Sequence, residues 1–176
     1  MIQYSIKIFI LLVTAAQFSS CGLLKKTAVP FNPTTTHKTF PKPVGYVNDF
    51  ENILSKREEK ELGVIIKAHE RQTTNQIAII TIQDYQPYSS LMEYAIDLAN
   101  YWGVGHKNKN NGVVMVFGKN IREIWISNGS GIETKLSDFD TKKIIDEIII
   151  PQFKKGDYFL GTKNGLLAII EKLNMQ

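Results

Sequence analysis

The chain has 176 residues, of which 43% are hydrophobic and 22% are charged, a size and composition that suit one domain with one core. The net charge of +4 arises near the N-terminus, where five lysines precede residue 48, whereas all 17 acidic residues follow it with the other 16 basic ones. Because a nucleic-acid-binding domain concentrates cations on the fold itself, we predict no nucleic-acid partner.

The first twenty residues have the pattern of a signal peptide. Lys7 precedes an apolar run from Ile8 to Ala16, which is too short to cross a bilayer of about 30 Å, and small residues then lead to Cys21. The ending Phe-Ser-Ser-Cys resembles the lipobox of bacterial lipoproteins, in which the cysteine is acylated and becomes the new N-terminus. We therefore predict a lipoprotein signal peptide over 1–20 and lipidation of Cys21, with an uncleaved membrane anchor as the alternative.

Residues 21–45 are predicted to form a tether. The segment holds four of the six prolines, many threonines and little apolar periodicity. The membrane, contacted through the lipid on Cys21, is thus the first predicted partner. The predicted location is the bacterial cell envelope, on the outer membrane or the periplasmic face.

The segments after the tether alternate between helix and strand patterns. Ser55 and Glu58 form a capping-box pattern that begins a helix running to about Arg71, with His69 as a packed, hydrogen-bonded residue. The β-branched run from Gln76 to Gln83 predicts a central strand that is covered on both faces. A second helix begins at Ser89 or Ser90 and ends at the following glycines.

The C-terminal half begins with a predicted hairpin, in which 113–117 and 121–127 flank a Gly-Lys-Asn turn of the kind that tolerates positive φ. A helix that ends by Pro151 and a last helix capped near Asp157 follow. The predicted fold is therefore α/β, a small mixed sheet sandwiched between helices.

A catalytic motif is not found in the sequence. It contains no P-loop, no strand-linked GxGxxG, no HExxH and no GxSxG pattern. Ser130 is flanked by glycines but lacks a strand-to-helix elbow and a histidine partner, so a glycine-rich turn is the better interpretation. We predict no catalytic residue.

Five segments, in order, are similar to the TPM domain of bacterial envelope and thylakoid-lumen proteins. They are VNDFENILS, TNQIAIITIQ, YAIDLANYWGVGHKNKNNGVVMVF, SNGSGIETKLSD and IIPQFKKGDYFLG. The resemblance implies a TPM domain over 46–176 with a sheet between helices. Members of this family have been linked to acid phosphatase activity, to calcium binding, and to the maintenance or modulation of membrane complexes.

The resemblance also implies a polar cleft beside the loop from Gly105 to Gly112. The position of Asp49 matches the aspartate of the family's Val-x-Asp motif, and carboxylate, asparagine and loop carbonyl oxygens are ligands that Ca²⁺ accepts. The predicted metal ligands are Asp49, Asn110 and Asn111, binding Ca²⁺ weakly. The predicted ligand-cleft residues are Gly105, Lys107, Gly112, Gly129, Gly131 and Asp157.

The loop departs from many relatives, which carry acidic residues where this chain has His106, Asn108, Asn110 and Asn111 beside Lys107 and Lys109. Fewer negative charges weaken a divalent site, and the lysines favour a phosphate or an acidic partner. The loop could thus be structural, bind an ion or ligand, or be catalytic. We predict a lipid-anchored envelope module that binds ions or an envelope protein partner; a metal-dependent acid phosphatase is the alternative.

Overall fold

The structure, a computed structural model, describes residues 40–175. The predicted signal peptide, the predicted lipidation site Cys21 and most of the predicted tether lie outside these residues. Among the described residues, no helix is both long and apolar enough to span a membrane.

A four-stranded mixed sheet forms the centre of the fold. Strands β1 (Val47–Asp49), β2 (Gln76–Thr81) and β3 (Gly112–Gly118) are parallel, and β4 (Glu123–Asn128) is antiparallel to β3, in the spatial order β1-β2-β3-β4. All seven residues of β3 and five of the six residues of β2 are buried, because helices cover both faces. The predicted fold class is confirmed.

Two details of the sheet differ from the sequence prediction. Strand β1 was missed, because three residues are too few to show an alternating pattern. In the predicted hairpin, the positive φ falls on Arg122, at 54°, and not within the Gly-Lys-Asn segment.

The first two helices match their predicted start signals. Helix α1 (Lys56–Thr73) begins after Ser55, whose hydroxyl accepts a hydrogen bond from the Glu58 N–H while the Glu58 carboxylate accepts one from the Ser55 N–H. Helix α2 (Leu91–Trp102) is capped by Ser90 and ends at Gly103, whose φ of 66° suits glycine.

The predicted end of the third helix at Pro151 is wrong. Helix α3 (Asp138–Ile144) continues through a π-helical turn (Ile145–Ile149) into α4 (Ile150–Phe153). In the π turn, the Ile150 N–H donates a hydrogen bond to the Ile145 carbonyl, five residues earlier. The backbone hydrogen-bond pattern just before Pro151 therefore differs from that of a regular α-helix. The helix can therefore accommodate a residue that donates no backbone hydrogen bond.

The last helix, α5 (Tyr158–Asn174), is capped by Asp157 as predicted. Helices α1, α3 and α5 pack on one face of the sheet through residues such as Leu62, Ile144 and Leu166. Helix α2 packs on the other face, where Leu98 contacts the second apolar cluster. The fold therefore has three layers, with α1 and α2 on opposite faces.

Residues at the end of the predicted tether pack against α2. The Phe40 ring lies 5.3 Å from the rings of both Tyr94 and Tyr101, measured between centroids. The Trp102 indole N–H donates a 2.9 Å hydrogen bond to the Pro41 carbonyl. The described chain therefore enters the fold on the α2 face.

Candidate functional site

The topology creates a switch point at the carboxyl ends of β1 and β2. These neighbouring parallel strands lead into α1 and α2, which lie on opposite faces of the sheet, so the connections that follow them diverge. In open α/β sheets, ligands bind outside the carboxyl ends of the strands at such a switch point. We refer to the region around Asp49 and Thr81, which are paired in register, as the switch-point crevice.

Asp49 organises the backbone that leads from β1 to α1. One carboxylate oxygen accepts hydrogen bonds from the Ile53 N–H, at 3.1 Å, and from the Thr81 hydroxyl. The other accepts a 2.7 Å bond from the Leu54 N–H. The carboxylate therefore holds a loop in which Asn52 has a positive φ of 56°.

Thr81 and Glu51 extend this network toward the hairpin turn. The Glu51 N–H donates to the Thr81 hydroxyl oxygen at 3.0 Å. The Glu51 carboxylate accepts bonds of 2.8 and 2.9 Å from the N–H groups of Lys119 and Asn120. Hydrogen bonds in this region thus join the segment after β1, the end of β2 and the turn between β3 and β4.

Sequence reasoning missed Thr81 and Glu51 as site residues. The signal that could have found them is the position of Thr81 at the end of the β-branched run, because carboxyl ends of parallel strands share one edge. That inference requires recognising β1, which the sequence pattern did not reveal.

The predicted grouping of Asp49 with Asn110 and Asn111 needs correction. Asp49 pairs with Thr81 at the carboxyl end of β2, whereas Gly112, next to Asn111, pairs with Gln76 at its amino end. Five residues of extended strand separate these ends by about 16 Å. One ion cannot contact both groups, and Ca²⁺ binding at either end stays a prediction.

Asn111 is buried and its amide group is fully engaged. Its side-chain oxygen accepts a 2.9 Å hydrogen bond from the His106 N–H. Its side-chain nitrogen donates to the Thr74 carbonyl at 2.9 Å and to the Asn75 side-chain oxygen at 3.2 Å. The residue therefore fastens the loop before β3 to the connection between α1 and β2.

Four predicted ligand-cleft glycines lie at this amino end, and we call Gly105, Gly112, Gly129 and Gly131 the glycine junction. Gly105 has a φ of 103°, and a Cβ at this position would lie 2.6 Å from the Gly112 nitrogen. A Cβ at Gly112 would lie 2.2 Å from the Val104 carbonyl oxygen. The two glycines thus allow two backbone segments to touch.

The other pair allows a second close backbone approach. A Cβ at Gly129 would lie 2.1 Å from the Asn110 carbonyl oxygen, and one at Gly131 would lie 1.7 Å from the Lys109 carbonyl oxygen. The Gly131 N–H also donates a 3.0 Å hydrogen bond to the Asn110 carbonyl. These glycines have a packing role at the junction, and ligand binding there stays a prediction.

The charged members of the predicted cleft are separated as well. Lys107 is exposed in the loop at the amino end, where neighbouring Lys109 donates a 2.7 Å hydrogen bond to the Thr74 hydroxyl. Asp157 caps α5 and accepts a 2.9 Å bond from the Leu160 N–H. The ring of the following residue, Tyr158, is parallel to the Phe117 ring, with 6.5 Å between the ring centroids. Because Phe117 pairs with Thr81, Asp157 lies at the same end of the sheet as the switch-point crevice.

His69 is a packed residue of α1, as predicted. Its side chain is buried, and its Nε2 lies 3.3 Å from the Thr73 hydroxyl. Nδ1 is buried without a hydrogen-bond partner among the described residues. Burial lowers the pKa of His69, because the charged form loses its hydration.

The switch-point crevice offers few side chains that could bind a divalent cation. Within residues 40–175, no cluster of three or more His, Cys, Asp or Glu side chains could hold a metal ion. Ca²⁺ at Asp49 would therefore take its remaining ligands from hydroxyl, carbonyl and water oxygens, which this ion accepts.

The geometry defines a three-layer α/β/α domain with a switch-point crevice at one end of the sheet and a packed glycine junction at the other. The TPM domain family matches residues 47–172. The chain belongs to the TPM domain family, as its sequence motifs predicted.

Solved structures share this fold. The N-terminal domain of a protein from P. gingivalis is 29% identical, with a TM-score of 0.68 over 73% of this chain and 82% of that one. The BA42 protein from Bizionia argentinensis is 22% identical, with a TM-score of 0.58 over 70% and 83%. The N-terminal domain of the cg2496 protein from Corynebacterium glutamicum is 8% identical, with a TM-score of 0.58 over 79% and 88%. A comparison with curated proteins found no match.

Proposed function

We propose that this protein is a lipid-anchored envelope module whose TPM domain binds a protein partner and thereby maintains or modulates a membrane protein complex. The lipobox-like sequence ending at Cys21 supports the anchor. The observation that carries the binding function is a pair of exposed apolar residues on one side of α2, Met92 and Ile96, which are 42% and 43% exposed.

The composition of this α2 surface suits a protein interface. Met92 and Ile96 are four residues apart and therefore share one side of the helix. Methionine is enriched in protein interfaces. The exposed acidic residues Glu93 and Asp97 lie beside this pair on the helix and supply a polar border.

The partner-binding proposal is tested by placing a charge on α2. Ile96→Glu should abolish co-purification of a defined envelope protein from detergent-solubilised membranes, because an unpaired carboxylate would be buried at the interface. Leu167→Glu on α5 is the matched control, since Leu167 is 44% exposed on the other side of the sheet. Equal co-purification by the parent and Ile96→Glu proteins would contradict the proposed surface.

The anchor is tested separately. Cys21→Ser removes the sulfur that lipidation requires, so the variant should accumulate as an uncleaved precursor or be released from membranes. Mass spectrometry of the parent protein should find acyl chains on an N-terminal Cys21. A variant that matures and fractionates like the parent would refute the lipoprotein proposal.

A second candidate function is ion binding at the switch-point crevice, supported by the position of Asp49 at the carboxyl end of β1. A metal-dependent acid phosphatase would use the same carboxylate as nucleophile or base. The lysines considered as phosphate ligands, Lys107 and Lys109, lie at the amino end of the sheet, about 16 Å away along β2. Asp49 and these lysines therefore cannot act on one phosphate group.

The phosphatase alternative has a direct assay. We expect no saturable hydrolysis of an aryl phosphate by the purified protein at acidic or neutral pH, with or without Ca²⁺ or Mg²⁺. Turnover that is lost in Asp49→Asn, while far-UV and near-UV spectra stay unchanged, would instead establish an enzyme.

A further inference from the structure

The solvent-facing side of α1 carries a stripe of cations. Arg57, Lys60, Val64, Lys67 and Arg71 recur at intervals of three or four residues, and all five are exposed. This spacing places them along one side of the helix, over about 21 Å. We call these five residues the α1 stripe. The chain after residue 48 is nearly neutral overall, so its net charge does not reveal this local group of cations.

The acidic residues of α1 do not pair with the cations of the stripe. The four acidic residues of α1 are each bonded to another group: Glu58 to the Ser55 N–H, Glu59 to Lys56, Glu61 to Lys163, and Glu70 to Tyr46 and Gln76. None of the four cations of the stripe forms an ion pair with another residue in the 40–175 range. Glu58 and Glu70 keep their negative charge because their partners are neutral, but no acid of the described chain holds the four cationic side chains, which can therefore contact an external anion.

A shallow groove of about 410 Å³ runs beside the first half of the stripe. It is lined by Lys163 from α5 and by five residues of α1, which are Arg57, Lys60, Glu61, Val64 and Ile65. The 2.7 Å ion pair between Lys163 and Glu61 joins the two helices. Val64, at 61% exposure, is the only apolar residue of the stripe, so the stripe itself would attract a ligand mainly by charge.

We propose that the α1 stripe binds the phosphate headgroups of an anionic lipid bilayer. This inference rests on the proposed lipid anchoring, which keeps the domain near a membrane. A long row of cations suits a planar anionic surface, where each Lys or Arg adds attraction independently. A protein interface instead requires large apolar or aromatic anchors at its centre. Those anchors are on α2, and the α1 stripe has none.

The chain length allows this orientation. The described chain enters at Phe40 on the α2 face, whereas the stripe lies on the α1 face. The 18 residues between Cys21 and Phe40 can span at most about 60 Å. That reach exceeds three layers spaced about 10 Å apart. An anchored Cys21 therefore permits α1 to face the bilayer and α2 to face away from it.

The experiment measures lipid contact at each face of the full chain. Val64→Cys and Met92→Cys proteins, purified from membranes, are labelled with an environment-sensitive fluorophore and reconstituted into phosphatidylcholine vesicles with or without 30% phosphatidylglycerol. We expect a blue shift at position 64 in the anionic vesicles, reversed by 0.5 M salt, and no shift at position 92. Adding Lys60→Gln and Lys67→Gln should lower the equilibrium constant for contact about 30-fold, at about fivefold per cation.

Absence of a blue shift at position 64 in anionic vesicles, or an equal shift at position 92, would overturn the proposal. A photoreactive residue placed at position 64 in intact cells that crosslinked to an acidic protein would overturn the proposal in favour of a protein ligand. Failure of the lipid anchor is recognised independently, because the parent protein would then label at a free Cys21. In that case Val64→Cys is combined with Cys21→Ser, so that position 64 alone carries the fluorophore and reports headgroup contact when vesicles are added.

Discussion

Substitution of Gly131 tests the close backbone packing of the glycine junction. In Gly131→Ala, the new methyl group would begin 1.7 Å from the Lys109 carbonyl oxygen, and Cβ contacts under 3.0 Å essentially do not occur, so backbone must move by about 1.3 Å. Such overpacking costs about 1–3 kcal/mol. The movement also disturbs the 3.0 Å bond from the Gly131 N–H to the Asn110 carbonyl, worth about 0.5–1.5 kcal/mol. We expect a loss of about 2–4 kcal/mol.

Urea unfolding followed by tryptophan fluorescence measures this loss, with Gly63→Ala as the control. Gly63 lies inside α1, and no atom is within 4 Å of a Cβ placed there. Alanine at this position should stabilise the protein by about 0.5–1 kcal/mol, because it favours the helix over the unfolded chain. A Gly131→Ala protein within 0.5 kcal/mol of the parent would refute the packing argument, since surface substitutions change stability by about this much.

Three further predictions concern individual polar groups. Asp49→Ala should destabilise the fold by about 2 kcal/mol in urea unfolding, because the Ile53 and Leu54 N–H groups lose their acceptor; an unchanged midpoint would contradict this. Since burial lowers the pKa of His69, the unfolded state binds more protons below pH 6.5, so stability should fall as pH drops from 6.5 toward the lowered pKa. His69→Leu should remove that dependence, and a parallel pH profile in the variant would refute it. Calcium titration by NMR should shift Asp49 and Thr81 at about 10⁻⁴–10⁻³ M, and joint movement of Asn111 would contradict the separation of the two sheet ends.

The helices could be predicted because their signals are local. The Ser55–Glu58 capping box and the Asp157 cap involve neighbours in sequence, and the structure shows both. Strand β1 has three residues and depends on pairing with β2, which is a nonlocal interaction. The passage of a helix through Pro151 depends on a π turn that residue preferences do not indicate.

The candidate site was less predictable than the fold, for a physical reason. Asp49 was identified, but its partner Thr81 is 32 residues away and becomes a neighbour only through strand register. Asn111 was grouped with Asp49 because both supply oxygen ligands, whereas its amide is engaged by Thr74, Asn75 and His106. Ligand chemistry can be inferred from a side chain, but its position requires the sheet topology.

The two faces of the domain expose different kinds of side chain. The α1 stripe presents cations around one valine, while α2 presents methionine and isoleucine with acidic neighbours. Together with the proposed anchor, this distribution supports our proposal that α1 faces lipid and α2 faces a protein partner.

Site-specific photocrosslinking in intact cells tests the partner-binding function most directly. A photoreactive phenylalanine analogue is placed at Ile96 on α2 or, as the control, at Leu167 on α5, which have nearly equal exposures of 43% and 44%. We predict one discrete crosslinked envelope protein from position 96, lost when Cys21→Ser is added, and none from position 167. No protein crosslink from position 96, or the same crosslinked protein from both positions, would contradict the account.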